Sequence, residues 1–372
     1  MTARPDAAIR ALRVAAYRIP TDAPEADGTF AWDATTLVLV ELDAGGQTGL
    51  GYTYADASLV RLIDGHFRDL LVNADALGIG AINERLWASV RNLGRSGLAA
   101  CAISAVDCAL WDLKARLLDL PLAQLLGMRR THIAVYGSGG FTSYDDARLR
   151  KQLGRWAHED GCRWVKMKVG ADADRDSERV RAAREAIGEA PGLFIDANGA
   201  HTPRSASAIA FAHRIAEQRV GWFEEPVSSD DLPGLRQVRD ALGASGQAMD
   251  VAAGEYAYTP DGFRRLVEHG AVDVLQADLT RCGGVSGFLQ AAALCDAFHL
   301  DLSAHCAPAL HLHACCAAPR FRHQEWFHDH VRLEAMLFDG APHLQNGDVK
   351  PDLSCPGHGL RLREADARRY AI

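Results

Sequence analysis

The chain has 372 residues, of which 48% are hydrophobic and 24% charged, and its formal net charge is −8 at pH 7. These values are typical of a soluble globular enzyme, and the length favours one large barrel beside a smaller domain over a single small core. No long basic block supports nucleic-acid binding, and no apolar run is long enough for a membrane span.

The nine cysteines are scattered without C-x-x-C spacing, and their number is odd. Cys315 and Cys316 are adjacent, so they cannot easily form a bridge with each other. Residues 1–20 offer no apolar core of a signal peptide. The sequence therefore predicts reduced thiols and a cytoplasmic protein.

The N-terminal region has the pattern of α+β structure. Two strands, 35–42 and 49–54, flank the turn Gly45-Gly46 and predict a hairpin. Residues 21–33, which include Pro24, Asp27 and Gly28, predict a mobile loop. Residues 96–126 have helical spacing that is interrupted at Pro121.

After Met128 short apolar strands alternate with helical stretches at intervals of roughly 20 to 30 residues. The eight predicted strands are 133–141, 164–169, 193–198, 222–226, 251–255, 274–279, 302–306 and a short one near Glu325. Eight successive βα units indicate a closed barrel rather than an open sheet. Residues 337–372 are rich in glycine and proline and are expected to return over the N-terminal domain.

Two lysines one residue apart, Lys166 and Lys168, lie on a predicted strand in a chain that uses arginine for most of its positive charge. Alternation along a strand places both side chains on the same face. Two ammonium groups so close depress each other's pKa, and a lysine, unlike an arginine, can then act as a base. The pair therefore predicts proton abstraction.

Acidic residues end three consecutive predicted strands, where the catalytic groups of such barrels gather. These residues are Asp196, Glu224 and Glu255. Three converging carboxylates would repel one another unless a divalent cation lay between them. Oxygen donors without histidine or cysteine favour Mg²⁺, so the sequence predicts one magnesium ion here; separate surface carboxylates are the alternative.

The last strands supply further candidates. Asp278 ends one predicted strand and His305 the next, and an aspartate that accepts from one imidazole nitrogen raises the basicity of the other. This pair predicts a second base across the site from Lys168. Glu325 is predicted to donate a hydrogen bond to a developing oxyanion, with Lys166 opposite, if burial raises its pKa.

Weaker candidates surround this group. Glu225 faces away from Glu224 on an ideal strand, so it is expected behind the metal ligands. Asn198 at a strand end, and Glu25 and Asp27 in the predicted loop, are candidates for binding substrate. Five histidines are expected in loops and helices because their spacing matches no zinc pattern: His311, His313, His323, His328 and His330.

These motifs resemble the enolase superfamily, and within it the mandelate racemase subgroup. Lys166-Met167-Lys168 resembles the K-x-K motif of the family, and residues 102–127 are similar to its capping helices. The three carboxylates resemble the metal ligands, Asp278 and His305 the His-Asp dyad, and Glu325 the acid of the last strand. The resemblance covers nearly the whole chain.

The resemblance implies an α/β fold, a modified (β/α)7β TIM-type barrel with an α+β capping domain. Residues 1–128 would form the cap, 129–336 the barrel, and 337–372 a segment that returns to the cap. It also implies Mg²⁺-dependent removal of the proton α to a carboxylate, with Mg²⁺ and Lys166 stabilising the added negative charge. Residues 271–300 contain no lysine, which argues against subgroups that use a sixth-strand lysine.

Two bases on opposite faces of a substrate allow more than one reaction. The favoured prediction is dehydration of a sugar acid to a 2-keto-3-deoxy acid. Racemisation or epimerisation, and ring opening by a lactone or anhydro-sugar-acid cycloisomerase, are alternatives, and a metal-binding barrel without catalysis is a third. The expected partner is a small carboxylate substrate, a sugar acid by the favoured prediction, rather than nucleic acid or a membrane. The protein is also expected to form a homo-oligomer.

Overall fold

The computed structural model describes residues 6–202 and 204–372. The chain begins with an antiparallel sheet in the order β1-β2-β3, formed by Ala11–Ala26, Ala31–Ala44 and Gln47–Tyr54. Ala44 pairs with Gln47 on either side of the two turn glycines. The predicted hairpin is therefore confirmed.

The loop predicted for residues 21–33 is wrong. Strand β1 continues through it to Ala26, and Glu25 pairs with Trp32 on β2. Only the tip is a turn, where the backbone N–H of Asp27 donates to the carbonyl of Phe30 at 2.9 Å. The register shifts between Pro20 and Glu25, which lets the strand pass prolines that have no N–H to donate.

Helices cover one face of this sheet. The chain between β3 and residue 126 contains a π-helical turn at Leu62–Phe67 and five α-helices: α1 Leu59–Arg61, α2 Arg68–Leu71, α3 Ile79–Ser89, α4 Leu98–Leu117 and α5 Leu122–Leu125. Helix α4 packs against β3, and α5 begins directly after Pro121, so the helical prediction for this region holds. The close approach of α4 to β3 depends on glycines in the strand.

Replacing Gly51 by alanine is expected to lower the free energy of unfolding by about 1–3 kcal/mol. A Cβ there would lie 2.3 Å from the carbonyl oxygen of Ala105 and 2.5 Å from the backbone nitrogen of Ala109, both within α4. Denaturant unfolding measures the change. The control is Gly221→Ala on a barrel strand, where a Cβ meets nothing within 4 Å. Equal losses in both variants would contradict this explanation.

Eight parallel strands form the second domain. They are β4 Ile133–Gly139, β5 Trp164–Lys168, β6 Gly192–Asp196, β7 Val220–Glu224, β8 Asp250–Ala253, β9 Val274–Ala277, β10 Asp301–Ala304 and β11 Phe321–Phe327. Each strand pairs with the next, and β11 pairs with β4, which closes the barrel. The predicted barrel with a capping domain is confirmed.

A helix follows each barrel strand and covers its outer face. These helices are α6 Asp146–His158, α7 Ala173–Ile187, α8 Ser205–Arg214, α9 Leu232–Ala244, α10 Pro260–Glu268, α11 Gly284–Phe298, α12 Pro308–Ala317 and α13 His328–Leu337. The last of them, α13, also packs against β1 of the capping sheet. The cap is thus anchored directly to the end of the barrel.

Side chains alternate between the barrel interior and the helices. Tyr136, Phe194 and Trp222 pack together inside the barrel, while Val165 and Ile195 join the larger core against the helices. Residues two positions after Tyr136, Phe194 and Trp222 face the same way along their strands, so they point into the mouth of the barrel. One prediction is wrong: His323 lies inside the barrel on β11, not in a loop or helix.

The tail contacts both domains. Three short strands, β12 Phe338–Asp339, β13 Asp348–Val349 and β14 Arg361–Leu362, are followed by α14 Glu364–Ala367 and a 3₁₀ turn at Arg368–Tyr370. Strand β13 pairs with β4, and Ala371 bridges Tyr17 on β1. The backbone N–H of Ile372 donates to Ala16 at 3.1 Å. The expected return to the capping sheet is present, and the domain boundaries stay predictions.

None of the helices in residues 6–202 and 204–372 combines the length and apolar character that a bilayer span requires. All nine cysteines are free thiols, and Cys355 is the one that is not fully buried.

Candidate active site

Three barrel strands end on the polar side chains that were predicted there. Lys168, Asp196 and Glu224 are the last residues of β5, β6 and β7, and all three are buried. Each lies two residues beyond an inward-facing side chain, so it points into the barrel mouth. Trp222 illustrates the alignment, because its Nε1 donates to Glu224 Oε2 at 3.0 Å.

Glu255 reaches the same point through a bend in the chain. Strand β8 ends at Ala253, and Gly254 follows with a φ of +139°. A Cβ on Gly254 would lie 2.1 Å from the carbonyl oxygen of Gln276, so only glycine fits. The bend brings one carboxylate oxygen each from Glu255, Asp196 and Glu224 within 4.8 Å of one another.

The chemistry of this triad fits a magnesium ion. Burial and the nearby Asp196 raise the pKa of Glu224 to about 8, which shows how unfavourable the accumulated negative charge is. Beside the triad, Glu225 Oε1 and Asn198 Oδ1 are buried and have no hydrogen-bond partner in the described ranges. Carboxylate oxygens that are buried away from solvent are suited to a hard divalent cation.

The two lysines contact the triad. Lys168 Nζ lies 2.5 Å from Asp196 Oδ2, and Lys166 Nζ lies 2.6 Å from Glu224 Oε1. Burial lowers the pKa of Lys168, and so does the charge of Lys166, but Asp196 and the other carboxylates outweigh both and raise it. Lys166 thus lowers the pKa of Lys168 as predicted, but the facing acids, which the pair alone leaves out, reverse the net shift.

The histidine of the predicted dyad lies at the other end of the triad. His305 Nδ1 lies 2.8 Å from Asp278 Oδ2, and its Nε2 lies 3.1 Å from Glu255 Oε2. Burial lowers the pKa of His305, but Cys306, Glu255 and Glu325 outweigh burial and raise it. With Nδ1 held by Asp278, Nε2 is the nitrogen that can exchange a proton at the site.

Two family models match this chain. The model described as "Enolase C-terminal domain-like" matches residues 148–366, and the one described as "Mandelate racemase / muconate lactonizing enzyme, N-terminal domain" matches residues 11–127. The chain belongs to the mandelate racemase/muconate lactonizing enzyme family. The resemblance to the mandelate racemase subgroup of the enolase superfamily is thereby confirmed.

Relatives in the mandelate racemase family match along nearly the whole chain. The 3,6-anhydro-alpha-L-galactonate cycloisomerase of Streptomyces coelicolor is 35% identical, covering 98% of this chain and 99% of the relative. A mandelate racemase/muconate lactonizing enzyme-like structure from Rubrobacter xylanophilus has a TM-score of 0.94 and 48% identity, over 98% and 100% of the two chains. The L-talarate/galactarate dehydratase of Salmonella typhimurium LT2, liganded with Mg and L-lyxarohydroxamate, has a TM-score of 0.87 and 28% identity, over 98% and 93%.

Glu325 in this mandelate racemase family member lies among hydrogen-bond donors and positively charged groups. Burial raises the pKa of Glu325, but Lys166 at 2.8 Å and His305 outweigh burial and lower it. Its carboxylate accepts from Ser138 Oγ at 2.5 Å and from the backbone N–H of Cys306 at 2.9 Å. The hydrogen-bond donor predicted at Glu325 requires a raised pKa, which these contacts oppose, and its role stays a prediction.

The residues predicted to bind substrate have different surroundings. Asn198 lies beside the triad, and its backbone N–H donates to Asp196 Oδ1 at 2.9 Å. Asp27 instead accepts from the backbone of its own turn. Glu25 is buried and accepts from Trp32 Nε1 at 2.8 Å. The substrate contacts of all three stay predictions, and geometry favours Asn198 because it alone adjoins the triad.

The hairpin tip of the cap nevertheless reaches the barrel mouth. A Cβ on Gly28 would lie 2.5 Å from the carbonyl oxygen of Val169 and 2.9 Å from that of Ala197, just beyond β5 and β6. Thr142 Oγ1, beyond β4, donates to the carbonyl of Asp27 at 2.7 Å. The tip therefore covers one side of the site, as a capping domain of this family would.

Two close neighbours of the site were not predicted, and a third was predicted with a different orientation. Arg281 contacts Glu255 at 3.3 Å and Asp278 at 3.4 Å, and its position three residues after Asp278 was the available signal. Cys306 Sγ lies 3.3 Å from His305 Nε2, but adjacency alone indicates no role. Glu225 was expected to face away, yet a φ of +38° ends the strand alternation and turns it toward the triad, where burial and Glu255 raise its pKa.

Proposed function

We propose that this protein removes the proton α to the carboxylate of a sugar acid and expels the β-hydroxyl, giving a 2-keto-3-deoxy acid. One observation carries the proposal. Two groups able to exchange protons flank a buried triad of oxygen donors, with Lys168 at Asp196 on one end and His305 at Glu255 on the other. A substrate carboxylate held at the triad would present opposite faces of its α-carbon to these two groups.

Asp196, Glu224 and Glu255 would hold Mg²⁺, which supplies positive charge to the substrate carboxylate when bound. Lys166, with Nζ between Glu224 and Glu325, adds a fixed positive charge on the same side. A carboxylate that gains negative charge in the transition state is stabilised by such preorganised charges.

Lys168 is the proposed base. Asp196 is the main group that raises its pKa, while burial and Lys166 lower it. If the charge of Asp196 were neutralised by a bound cation, burial and Lys166 would still lower the pKa of Lys168. The amine could then lose its proton more easily. An arginine at this position would stay protonated, which explains why a lysine is suited to the role.

His305 is the proposed acid. Asp278 accepts from Nδ1 and stabilises the protonated imidazole, so Nε2 can deliver a proton to the departing oxygen. Arg281 contacts both Asp278 and Glu255 and fixes them in place. Abstraction by Lys168 and protonation of the leaving hydroxyl by His305 together release water.

The dehydratase named above supports this proposal, because it was solved with Mg and a sugar-acid analogue on the same fold. A second candidate reaction is favoured by the cycloisomerase that matches 98% of this chain. Opening an anhydro ring also removes the α-proton and breaks a bond from the β-carbon to oxygen. The two candidates therefore differ in the leaving oxygen, a hydroxyl or a ring ether, and use the same two residues.

Incubation in D₂O with Mg²⁺ and a panel of aldonic, aldaric and anhydro-sugar acids tests the proposal. A keto acid detected with semicarbazide, released with water, is the expected product of dehydration. A keto acid formed only from the anhydro acids would favour the cycloisomerase. α-Deuterium without a keto acid would show epimerisation, and no exchange with any acid would contradict proton abstraction.

The His305→Asn variant separates proton abstraction from elimination in the same experiment. Because Lys168 is retained, this variant is expected to exchange the α-proton of a substrate while forming far less keto acid. Loss of exchange and of elimination to the same extent would contradict the separate roles given to the two residues.

A further inference from the structure

A second cluster of metal-ligating groups lies outside the active site. Asp22 and Glu25 on β1 and His328 at the start of α13 each place one ligand atom within 4.8 Å of the other two. Asp22 and Glu25 belong to the capping sheet, and His328 follows the last barrel strand. The cluster therefore joins the cap to the barrel.

Glu25 is the unusual member of this cluster. Its side chain is only 1% exposed, and its Oε1 has no hydrogen-bond partner among the described residues. The other oxygen accepts from Trp32 Nε1 at 2.8 Å, which fixes the carboxylate plane. A buried carboxylate oxygen without a partner is unfavourable, so this atom indicates a missing ligand.

Neighbouring charges do not satisfy Glu25. Asp329 is already paired with Arg332 at 2.6 Å and accepts from Thr35 Oγ1 at 2.5 Å. Burial and the nearby Asp329 and Asp22 raise the pKa of Glu25 to about 8, while Arg332 lowers it only in part. A cation at this point would relieve the repulsion that these acids create.

The other two members are positioned to complete a site. His328 Nε2 lies 3.2 Å from Asp22 Oδ1, and Arg148 Nη2 holds the other oxygen of Asp22 at 3.1 Å. An outer partner such as Arg148 orients a ligating carboxylate without occupying its free oxygen. Asp22 and His328 are also partly exposed, which leaves a route for an ion from solvent.

We propose that Asp22, Glu25 and His328 bind a divalent transition-metal ion of the zinc class, distinct from the magnesium at the triad. Two carboxylate oxygens and one imidazole nitrogen are a donor set that suits Zn²⁺, with a fourth position open to water, whereas Mg²⁺ prefers oxygen donors alone. The ion would clamp the cap to α13, three residues after Glu325. Sequence spacing could not reveal this site, because its histidine is 303 residues from the nearer carboxylate.

Equilibrium dialysis of the Mg²⁺-loaded protein against Zn²⁺, with the bound metal counted by mass spectrometry, tests the proposal. One zinc ion per chain is expected at saturation. Glu25→Gln and His328→Asn are expected to weaken this binding by at least about tenfold. The control, His132→Asn, removes an exposed histidine elsewhere and should leave binding unchanged.

The Glu224→Gln variant separates the two sites. It removes a ligand of the triad, so zinc that persists in this variant is bound elsewhere, as proposed. His328 lies at the surface edge of the cluster, so its replacement should preserve the fold even if that of Glu25 does not. Undiminished zinc binding in His328→Asn, or no zinc bound beyond the triad, would overturn the proposal.

Discussion

Replacing Lys168 by arginine is expected to lower turnover by about 10²- to 10⁴-fold while the protein still folds and binds Mg²⁺. The side chain keeps its positive charge and can still pair with Asp196, which Lys168 contacts at 2.5 Å. What it loses is the ability to give up a proton, because a guanidinium stays protonated at any working pH.

Turnover is measured on whichever sugar acid the D₂O panel identifies, with circular dichroism and Mg²⁺ titration to show that fold and metal binding are intact. The matched control is Lys151→Arg, which makes the same exchange at an exposed position on α6. His305→Asn is expected to reduce elimination to a similar extent. Near-normal turnover in both Lys168→Arg and His305→Asn would refute the assignment of acid and base.

Replacing Glu224 by glutamine is expected to weaken Mg²⁺ binding by at least about tenfold and to lower turnover by at least about 10²-fold. Glutamine keeps the shape of the side chain and can still accept from Lys166 Nζ, which lies 2.6 Å from Glu224, and from Trp222. The charge is lost, and with it one of three oxygen donors that favour a hard cation.

The thermal stability of the metal-free Glu224→Gln variant, unlike its Mg²⁺ affinity, should not fall. Burial and the nearby Asp196 raise the pKa of Glu224 to about 8, so its charged form is unfavourable in the metal-free protein. A neutral side chain removes that repulsion, and the metal-free variant is expected to melt no lower than the metal-free parent. Isothermal titration and thermal unfolding measure the two effects, with the exposed Glu217→Gln as control. Parent-like Mg²⁺ affinity would rule out Glu224 as a ligand.

The barrel could be predicted from the sequence because its signals are local. Each strand is a short apolar run, and Lys168, Asp196 and Glu224 fall at the strand ends where the argument from barrel geometry places them. The extension of β1 could not be predicted in this way. Pro24 and Gly28 suggest a loop, and the pairing of Glu25 with Trp32 that overrides this signal is visible only when both strands are present.

Electrostatics at the site depended on contacts that no local pattern contains. The lysine pair indicated a depressed pKa, but the acids that reverse the shift come from β6 and β7 and from beyond β8. The predicted orientation of Glu225 was wrong for another reason, since the direction of its side chain is set by one backbone angle just after the strand. Residue types and spacing thus identified the chemical groups, while their protonation depended on the assembled barrel.

The pairing of Ala371 and Ile372 with β1 has a consequence for handling this protein. Strand β1 is the outer member of the sheet β1-β2-β3, and outer strands present free N–H and C=O groups to other chains. Ala371 bridges Tyr17, and Ile372 donates to Ala16, so part of this border is already occupied. A change that displaces Ala371 and Ile372 would uncover the free N–H and C=O groups of β1 as a template for self-association.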